Sequence, residues 1–465
     1  MMITFVVPAM GERHGRRQAG GLKLEPLAIA ALQAVTPSGV ETEFFDDRLQ
    51  TIDYTTPTDL VAISVETCTA RRAYVIADAF RARGVPVVLG GYHVTLITEE
   101  ALGHADAVVL GDAEPVWADV VADAAAGRLR RSYRGGVCMA PPSPDRSIFR
   151  GKKYLPFGLV EAGRGCAGDC TFCSITQTSG RLHHDRPVAD IAAEIAGSWR
   201  PYHLILDDNL LTHRERTLAL CEALAPTGRV WAAEARLSVA RDAELLRWLK
   251  AAHCEMLLID FDSLEPSQAE LDTRPWNAIA AERAELVRRI HAAGIGIHGS
   301  FTFGHDTDTR ATFDRVLAFA ETSRLFAASF TPVLPMPGTL VYDRLAAEGR
   351  LRYDRWWLEP RFRFGEVPFT PLRKPLSISW RTRAASSPAS TAVWNCSALW
   401  PSQATSSVKL GAQGVLVLVQ GVVRGPELPQ RSGELGHDGG VERFRVRPHQ
   451  REIAKGKRDL VAVAA

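Results

Sequence analysis

Short apolar runs alternate with amphipathic helical stretches along most of the chain, and this alternation restricts the fold more than any other feature. Strands that are apolar on both faces are buried on both faces, and strands separated by helices pair in parallel. Up to about Gly127 the apolar runs are continuous in Val, Ile and Leu, as in ITFVVPA, DLVAISVET, PVVLGGYH and DAVVLGDAE. The sequence therefore predicts an α/β fold that begins with a doubly wound, Rossmann-like parallel sheet.

A second alternating series follows a Pro-rich, aperiodic stretch. It runs through GLVEAG, HLILDDN, VWAAEA, EMLLIDFDS and IGIHGSFTFG. Strands that each precede a helix are typical of a partial or full (β/α) TIM-like barrel, whose chemistry lies at the carboxyl ends of the strands. We therefore predict a first domain over 1–134, a linker over 135–157, a barrel with a C-terminal extension over 158–372, and an aperiodic tail over 373–465. The tail is rich in Ser, Ala and Thr, and we interpret it as disordered or as translated out of frame.

Composition argues against several classes of protein. The 465 residues include 55 Lys and Arg and 53 Asp and Glu, a formal net charge of +2, which is too small to indicate nucleic acid or an anionic membrane as a partner. No apolar run approaches the ~20 residues of a membrane span, and the N-terminal charges follow the first apolar run, the reverse of a signal peptide. We expect a cytoplasmic protein, in a compartment where disulfides are rare.

Three of the eight cysteines lie close together in RGCAGDCTFCSI. Cys166, Cys170 and Cys173 have a C-x3-C-x2-C spacing, directly after the first strand of the second series. A structural zinc site needs four Cys or His ligands, and His183 and His184 are candidates for the fourth. Alternatively, three thiolates hold three irons of a 4Fe-4S cluster and leave the fourth iron open for a small ligand. Both interpretations make this loop a metal site.

The cysteine loop, with Phe172 before its last cysteine, resembles that of the radical S-adenosylmethionine (SAM) superfamily. The resemblance covers most of 1–372. VVLGGYHVTL and VVLGDAEPVW are similar to the cobalamin-binding domain fused before some radical SAM barrels, and LDDNL, SFTFGHDTDT and PMPGT are similar to stretches of those barrels. This resemblance implies a 4Fe-4S cluster on Cys166, Cys170 and Cys173, SAM on the open iron, and cobalamin in the first domain.

Candidate cofactor contacts lie at the carboxyl ends of the predicted strands. Ligands of parallel sheets bind there, and glycines at those positions let the backbone approach a large ligand. Carboxylates and an arginine suit the amino, ribose and carboxylate groups of SAM. Ordinary turns, helix caps and rim ion pairs are the structural alternatives for the same residues. The candidates are Ser64, Thr67, Gly90, Gly91, Gly111 and Glu114 for cobalamin, and Phe172, Asp208, Glu234, Arg236 and Gly304 for SAM.

Two stretches depart from the family pattern. GERHGRR is a poor match to the D-x-H-x-x-G loop that supplies a lower axial histidine, so we expect a cobalt without a protein histidine, and His14 and His93 exposed to solvent. Related sequences have Gly-aromatic-Glu-Ser where this chain has IDFDS, with Asp260 for Gly and Asp262 for Glu. The shorter acid would reach SAM or substrate through water, and Asp260 adds a side chain where the family has none.

The resemblance implies a methyltransferase that acts on an unactivated carbon, or on phosphorus, of a small-molecule or lipid substrate, through a 5′-deoxyadenosyl radical and methylcobalamin. A cobalamin-containing cyclase or rearrangement enzyme without methyl transfer is the alternative among enzymes. A non-catalytic cobalamin and iron-sulfur sensor is the alternative of another class, but it would not need polar residues at successive strand ends of the barrel. The expected protein partner is an electron donor such as flavodoxin or ferredoxin.

Overall fold

The computed structural model describes residues 1–10, 12, 13, 16, 17, 23–208, 210–264, 281–363, 365–372, 393–395, 407–410 and 416–419. His14 and part of the predicted tail lie outside these residues. Two sheets dominate the described structure, one in the N-terminal part of the chain and one after the Pro-rich stretch. The predicted α/β fold class, a Rossmann-like sheet followed by a partial barrel, is confirmed.

The first sheet has six parallel strands. They are β1 (Met2–Val7), β2 (Glu41–Asp46), β3 (Leu60–Ser64), β4 (Val87–Gly90), β5 (Ala107–Gly111) and β6 (Ser132–Gly136). Their spatial order is β2-β1-β3-β4-β5-β6, so the direction of winding changes between β1 and β3. Ligands of doubly wound sheets bind in the crevice at such a switch point.

Helices cover both faces of this sheet, which is why its central strands β1, β3, β4 and β5 are mostly apolar. Leu60 and Ala62 of β3 pack on one face with Trp117, and Val61 and Ile63 pack on the other. The helices are α1 (Leu27–Val35), α2 (Ala70–Arg81), α3 (Tyr92–Leu96), α4 (Thr98–Leu102) and α5 (Trp117–Ala125). Short antiparallel strands also pair Glu12–Arg13 with Arg16–Arg17.

The second sheet contains the barrel strands and extends into the tail. Its barrel part has six parallel strands in the order of the sequence. They are β7 (Phe157–Glu161), β10 (Tyr202–Leu206), β11 (Val230–Ala235), β12 (Cys254–Asp262), β13 (Gly296–Phe303) and β14 (Ala327–Pro332). Between β7 and β10, β8 (Gly163–Arg164) pairs antiparallel with β9 (His184–Asp185).

The barrel helices pack on one side of these strands. Ile297 and Phe301 of β13 are fully buried against the helices, whereas the alternating His298 and Ser300 face the interior. The helices are α6 (Ser174–Thr178), α7 (Val188–Gly197), α8 (Arg214–Leu224), α9 (Ala243–Ala251), α10 (Arg283–Ala292), α11 (Arg310–Thr322) and α12 (Leu340–Ala347).

The segment after the barrel returns to the first domain. Trp356, Trp357 and Phe362 are buried in the apolar core that α2 forms with the first sheet. In the tail, β15 (Val393–Asn395), β16 (Ser407–Leu410) and β17 (Leu416–Val419) join the barrel sheet, β17 in parallel with β14. None of the described helices has both the length and the apolar character needed to cross a bilayer.

Candidate functional site

A cavity of about 370 Å³ lies between the carboxyl ends of the two sheets. Five of the six residues predicted to contact cobalamin line it, and so does Asp208, which was predicted to contact SAM. The five are Ser64, Gly90, Gly91, Gly111 and Glu114. The fold therefore brings residues from both predicted cofactor sites to one space.

Two glycines in this wall are required by the backbone. Gly91 has a φ of +110°, and a Cβ there would lie 2.7 Å from the backbone oxygen of Val65. Gly111 has a φ of +75°, and its Cβ would lie 2.4 Å from the backbone oxygen of Gly136. Residues with a side chain cannot adopt this arrangement without moving the backbone. At these two turns the backbone itself, without a side chain, borders the cavity.

The lining of the cavity combines apolar and charged side chains. Ala28 and Ala31 of α1 and Ala62 of the sheet are apolar, whereas Glu66 and Asp112 are charged. A cavity with both kinds of side chain suits a large ligand that carries an apolar ring system and amide groups, so the residues present fit cobalamin.

Thr67, the sixth predicted cobalamin contact, points elsewhere. It is buried, and its hydroxyl lies 3.2 Å from Nδ1 of His93. The prediction that His93 is exposed is wrong, because its side chain is completely buried and Nε2 lies 3.2 Å from Glu100. Glu100 also accepts hydrogen bonds from Tyr74 and from the indole of Trp357. This network fastens the returning C-terminal segment to the helices behind Gly91.

The cysteine loop leaves the barrel directly after β7 and is closed at its base by the β8–β9 ladder. Its cysteines form no disulfide, and Cys170 is buried. A Cβ on Gly168 would lie 3.3 Å from Sγ of Cys166 and 3.8 Å from Sγ of Cys170. Two of the sulfurs thus face the same backbone position. Three reduced thiols on one short loop are a donor set that fits a 4Fe-4S cluster.

His183, one candidate for a fourth ligand of zinc, is engaged by carboxylates. Its Nε2 lies 3.0 Å from Asp207 and its Nδ1 lies 3.4 Å from Asp185. Arg216 contacts Asp185 at 2.9 Å and adds positive charge beside this group. The geometry favours the interpretation in which the loop supplies three ligands and His183 fastens the base of the loop to the end of β10.

Asp208 connects the end of β10 to the start of the cysteine loop. Its Oδ2 accepts a hydrogen bond of 3.1 Å from the backbone N–H of Gly165. Burial raises the pKa of this carboxyl to about 6, although the N–H of Gly165 acts in the opposite direction. The group therefore carries a proton more readily than an ordinary aspartate, and it lines the cavity.

Glu234 and Asp260 form a carboxyl pair inside the barrel. Glu234 is exposed to solvent, but desolvation by the surrounding protein raises its pKa to about 8, and the charge of Asp260 together with a hydrogen bond to it acts in the same direction. Two carboxylates so close together cannot both ionise at little cost, so the pair retains a proton near neutral pH. Asp260 is the residue that departs from the family pattern, and it is thus part of the reason for this raised pKa.

The second departure, Asp262, coincides with a bulge. The register between β12 and β13 shifts between Asp260 and Asp262, and Asp262 has a φ of +51°. Aspartate adopts this left-handed conformation more easily than most residues. The IDFDS stretch therefore ends its strand with a change of direction.

We expect the Glu234→Gln variant to have a flatter dependence of stability on pH. The pKa of Glu234 is raised from 4.5 in the unfolded chain to about 8 in the fold, so the folded state binds the extra proton and the wild type loses stability as the pH rises through this window. Chemical unfolding at pH 6 and pH 9 measures the slope. A variant with the slope of the wild type contradicts the assignment. Glu244→Gln, in the first turn of α9, is the control.

The remaining SAM candidates lie at separate positions. Arg236 precedes the short helix Leu237–Arg241 as its N-cap, and Phe172 is half-buried in the cysteine loop. Gly304 has a φ of +107°, and its Cβ would lie 2.6 Å from a methyl group of Val367. The space beside Gly304 is therefore occupied by the returning C-terminal segment.

Sequence reasoning missed Arg164, which lines the cavity and contacts acidic residues of both domains. Its position just before Cys166 was the available signal. Tyr92, which directly follows the glycine pair and lines the same cavity, was also missed.

Comparison with known proteins agrees with this arrangement. Residues 160–320 match the Radical SAM superfamily. The chain is 26% identical over 354 residues to the bacteriochlorophyllide d C-8(2)-methyltransferase of Chlorobaculum tepidum, covering 71% of this chain and 78% of that protein. It is 27% identical over 347 residues to the C-12(1)-methyltransferase of the same organism, covering 71% and 75%.

Two solved structures share the fold. The radical SAM methyltransferase TsrM from Kitasatospora setae, with cobalamin and a [4Fe-4S] cluster bound, has a TM-score of 0.57 at 17% identity, over 75% of this chain and 78% of that chain. The cobalamin-dependent SAM radical enzyme OxsB, with aqua-cobalamin bound, has a TM-score of 0.54 at 15% identity, over 75% of this chain and 55% of that chain. Residues 160–320 therefore match the Radical SAM superfamily, and the described structure has the fold of these two cobalamin-bound proteins.

Proposed function

We propose that the protein is a cobalamin-dependent radical SAM methyltransferase that acts on an unactivated carbon, or on phosphorus, of a small-molecule or lipid substrate. The observation that carries the proposal is a cavity that joins the loops of the first sheet to residues on either side of the three cysteines, such as Arg164, Gly165 and Ile175. A methyl donor and a radical generator must both reach one substrate atom. The names of the relatives, which are C-methyltransferases, support the same reaction class.

The residues have distinct roles in this proposal. Cys166, Cys170 and Cys173 would hold the cluster, and the turns at Gly91 and Gly111 would admit cobalamin to the crevice. When bound, the cluster supplies the electron that cleaves SAM, and cobalamin supplies the methyl group.

The protonated carboxyl pair of Glu234 and Asp260 would present one negative charge and one hydrogen-bond donor to the barrel interior. Asp208 would orient the start of the cysteine loop through Gly165. In this proposal the chain binds the cofactors, orients the cysteine loop and holds a proton at Glu234.

The proposal includes a one-electron donor such as flavodoxin or ferredoxin. It also includes a cytoplasmic location, in which the cysteines remain reduced and able to hold a cluster.

The test is an anaerobic assay of the protein reconstituted with iron, sulfide and hydroxocobalamin, with SAM and a strong reductant. We expect both 5′-deoxyadenosine and S-adenosylhomocysteine by mass spectrometry, the second only when cobalamin is present. Deoxyadenosine without S-adenosylhomocysteine would favour a cyclase or rearrangement enzyme. Neither product from a protein that holds both cofactors would favour a sensor.

A further inference from the structure

Arg164 joins the two walls of the cavity, and we propose that it is a positioning residue that fixes the separation between bound cobalamin and the cluster. The inference rests on the proposed function, because it concerns the two cofactor sites of that reaction. Arg164 lies in β8, directly before Gly165 and Cys166, and its side chain is 17% exposed. The side chain is therefore anchored only two peptide bonds from the first of the three cysteines.

On the barrel side, the guanidinium of Arg164 is held by Glu161 at the end of β7. Nε donates to Oε1 at 2.6 Å and Nη2 donates to Oε2 at 2.9 Å. Two parallel hydrogen bonds between a planar guanidinium and a carboxylate fix orientation as well as distance. The arginine is thus rigidly attached to the barrel strand from which the cysteine loop begins.

On the cobalamin side, the same guanidinium reaches the loop after β5. Nη2 donates to Oε1 of Glu114 at 2.7 Å, and Nη1 lies 3.1 Å from Oδ2 of Asp112. Asp112 also accepts a hydrogen bond of 2.6 Å from the backbone N–H of Cys138. These contacts begin one residue after Gly111, whose close approach to Gly136 leaves no room for a side chain. The loop is therefore fixed at both ends, and Arg164 connects it to the cysteine loop.

The charges make this contact sensitive to the loss of the arginine. Three carboxylates surround one cation in a partly buried space, and without the cation they repel one another. The expected consequence is separation of the β5 loop from β7, which widens the cavity between the two cofactor sites. Contacts elsewhere hold the domains together: Arg146 in the linker bonds Glu194 of α7 at 2.8 Å and lies 3.3 Å from Glu25 of the first domain. Loss of Arg164 is thus expected to widen the cavity between the two cofactor sites without separating the domains.

The test compares Arg164→Met, Arg164→Lys and Glu114→Gln with the control Arg214→Met. Arg214 also binds two carboxylates, Asp242 at 2.7 Å and Glu244, but on the outside of the barrel. The reconstituted proteins are examined for iron content, for cobalamin affinity by optical titration, and by pulsed EPR for the spin–spin interaction between cob(II)alamin and the reduced cluster. The last measurement reports the separation directly and does not depend on turnover.

We expect Arg164→Met to retain its iron, to bind cobalamin about tenfold more weakly, as loss of a charge-assisted hydrogen bond implies, and to show a weaker and broader spin–spin interaction. Arg164→Lys should show a spin–spin interaction between those of the wild type and Arg164→Met, because lysine keeps the charge but cannot form two parallel hydrogen bonds with a carboxylate. Glu114→Gln leaves Glu161 paired with Arg164, so it decides the question if Arg164→Met does not fold. Arg214→Met should match the wild type.

An unchanged spin–spin interaction in both Arg164→Met and Glu114→Gln, with both cofactors bound, would overturn the inference and leave the proposed function intact. If the wild-type protein binds no cobalamin, the proposed function fails and the inference fails with it. The optical titration of the wild type separates these two outcomes before any variant is made.

Discussion

Replacing Cys170 by alanine is expected to remove the cluster absorbance and to reduce 5′-deoxyadenosine to the level of a protein-free control. Cys170 is the middle cysteine of the loop and is buried, and its sulfur faces the same position over Gly168 as that of Cys166. Two remaining thiolates cannot hold three irons, so the loss should be complete and not partial. Iron analysis after reconstitution and mass spectrometry of the reaction measure the two effects.

The control is Cys221→Ala. Cys221 is completely buried in α8, in the barrel core beside Leu220 and Leu224, and no loop ligand is near it in sequence. This variant loses a buried sulfur and is expected to be slightly less stable, with its iron and its product unchanged. If Cys170→Ala kept its iron and still cleaved SAM, the assignment of the loop as the cluster site would be wrong.

The sequence predicted the features that depend on local pattern. Continuous apolar runs such as that of Val87–Gly90 indicated a parallel sheet, and Gly90, Gly91 and Gly111 indicated positions where the backbone approaches a ligand closely. The close spacing of the three cysteines indicated a metal site before any fold was known. The fold inference succeeds because burial on two faces leaves a direct mark on residue type, and the assignment of the metal site to these three cysteines stays a prediction.

Features that depend on contacts between distant segments were not predictable. His93 was expected to be exposed, but Glu100, Tyr74 and the distant Trp357 enclose it. Nothing in the sequence around His93 shows that the C-terminal segment returns to cover it. Arg164 was missed for the same reason, since its partners Asp112 and Glu114 belong to the other domain. Side-chain networks across domains are fixed by tertiary packing and leave no periodic signal.

The second large effect is expected from Gly91→Ala, which should weaken hydroxocobalamin binding by at least about tenfold, equivalent to about 1.4 kcal/mol. A methyl group at this position meets the oxygen of Val65 at 2.7 Å, so the turn that borders the cavity must move. Gly84→Ala is the control for the effect of a positive φ. Gly84 has a φ of +78°, but a Cβ at this position would have nothing within 4 Å. Gly84→Ala incurs the conformational cost of alanine at a left-handed position, about 1–2 kcal/mol. Gly91, at φ +110° and ψ 177°, lies in a region essentially confined to glycine, so a thermal unfolding scan should detect both substitutions. Optical titration should then separate them: Gly84→Ala binds like the wild type, and only Gly91→Ala loses affinity. Equal affinities in the two variants would mean that this turn does not border the cobalamin site.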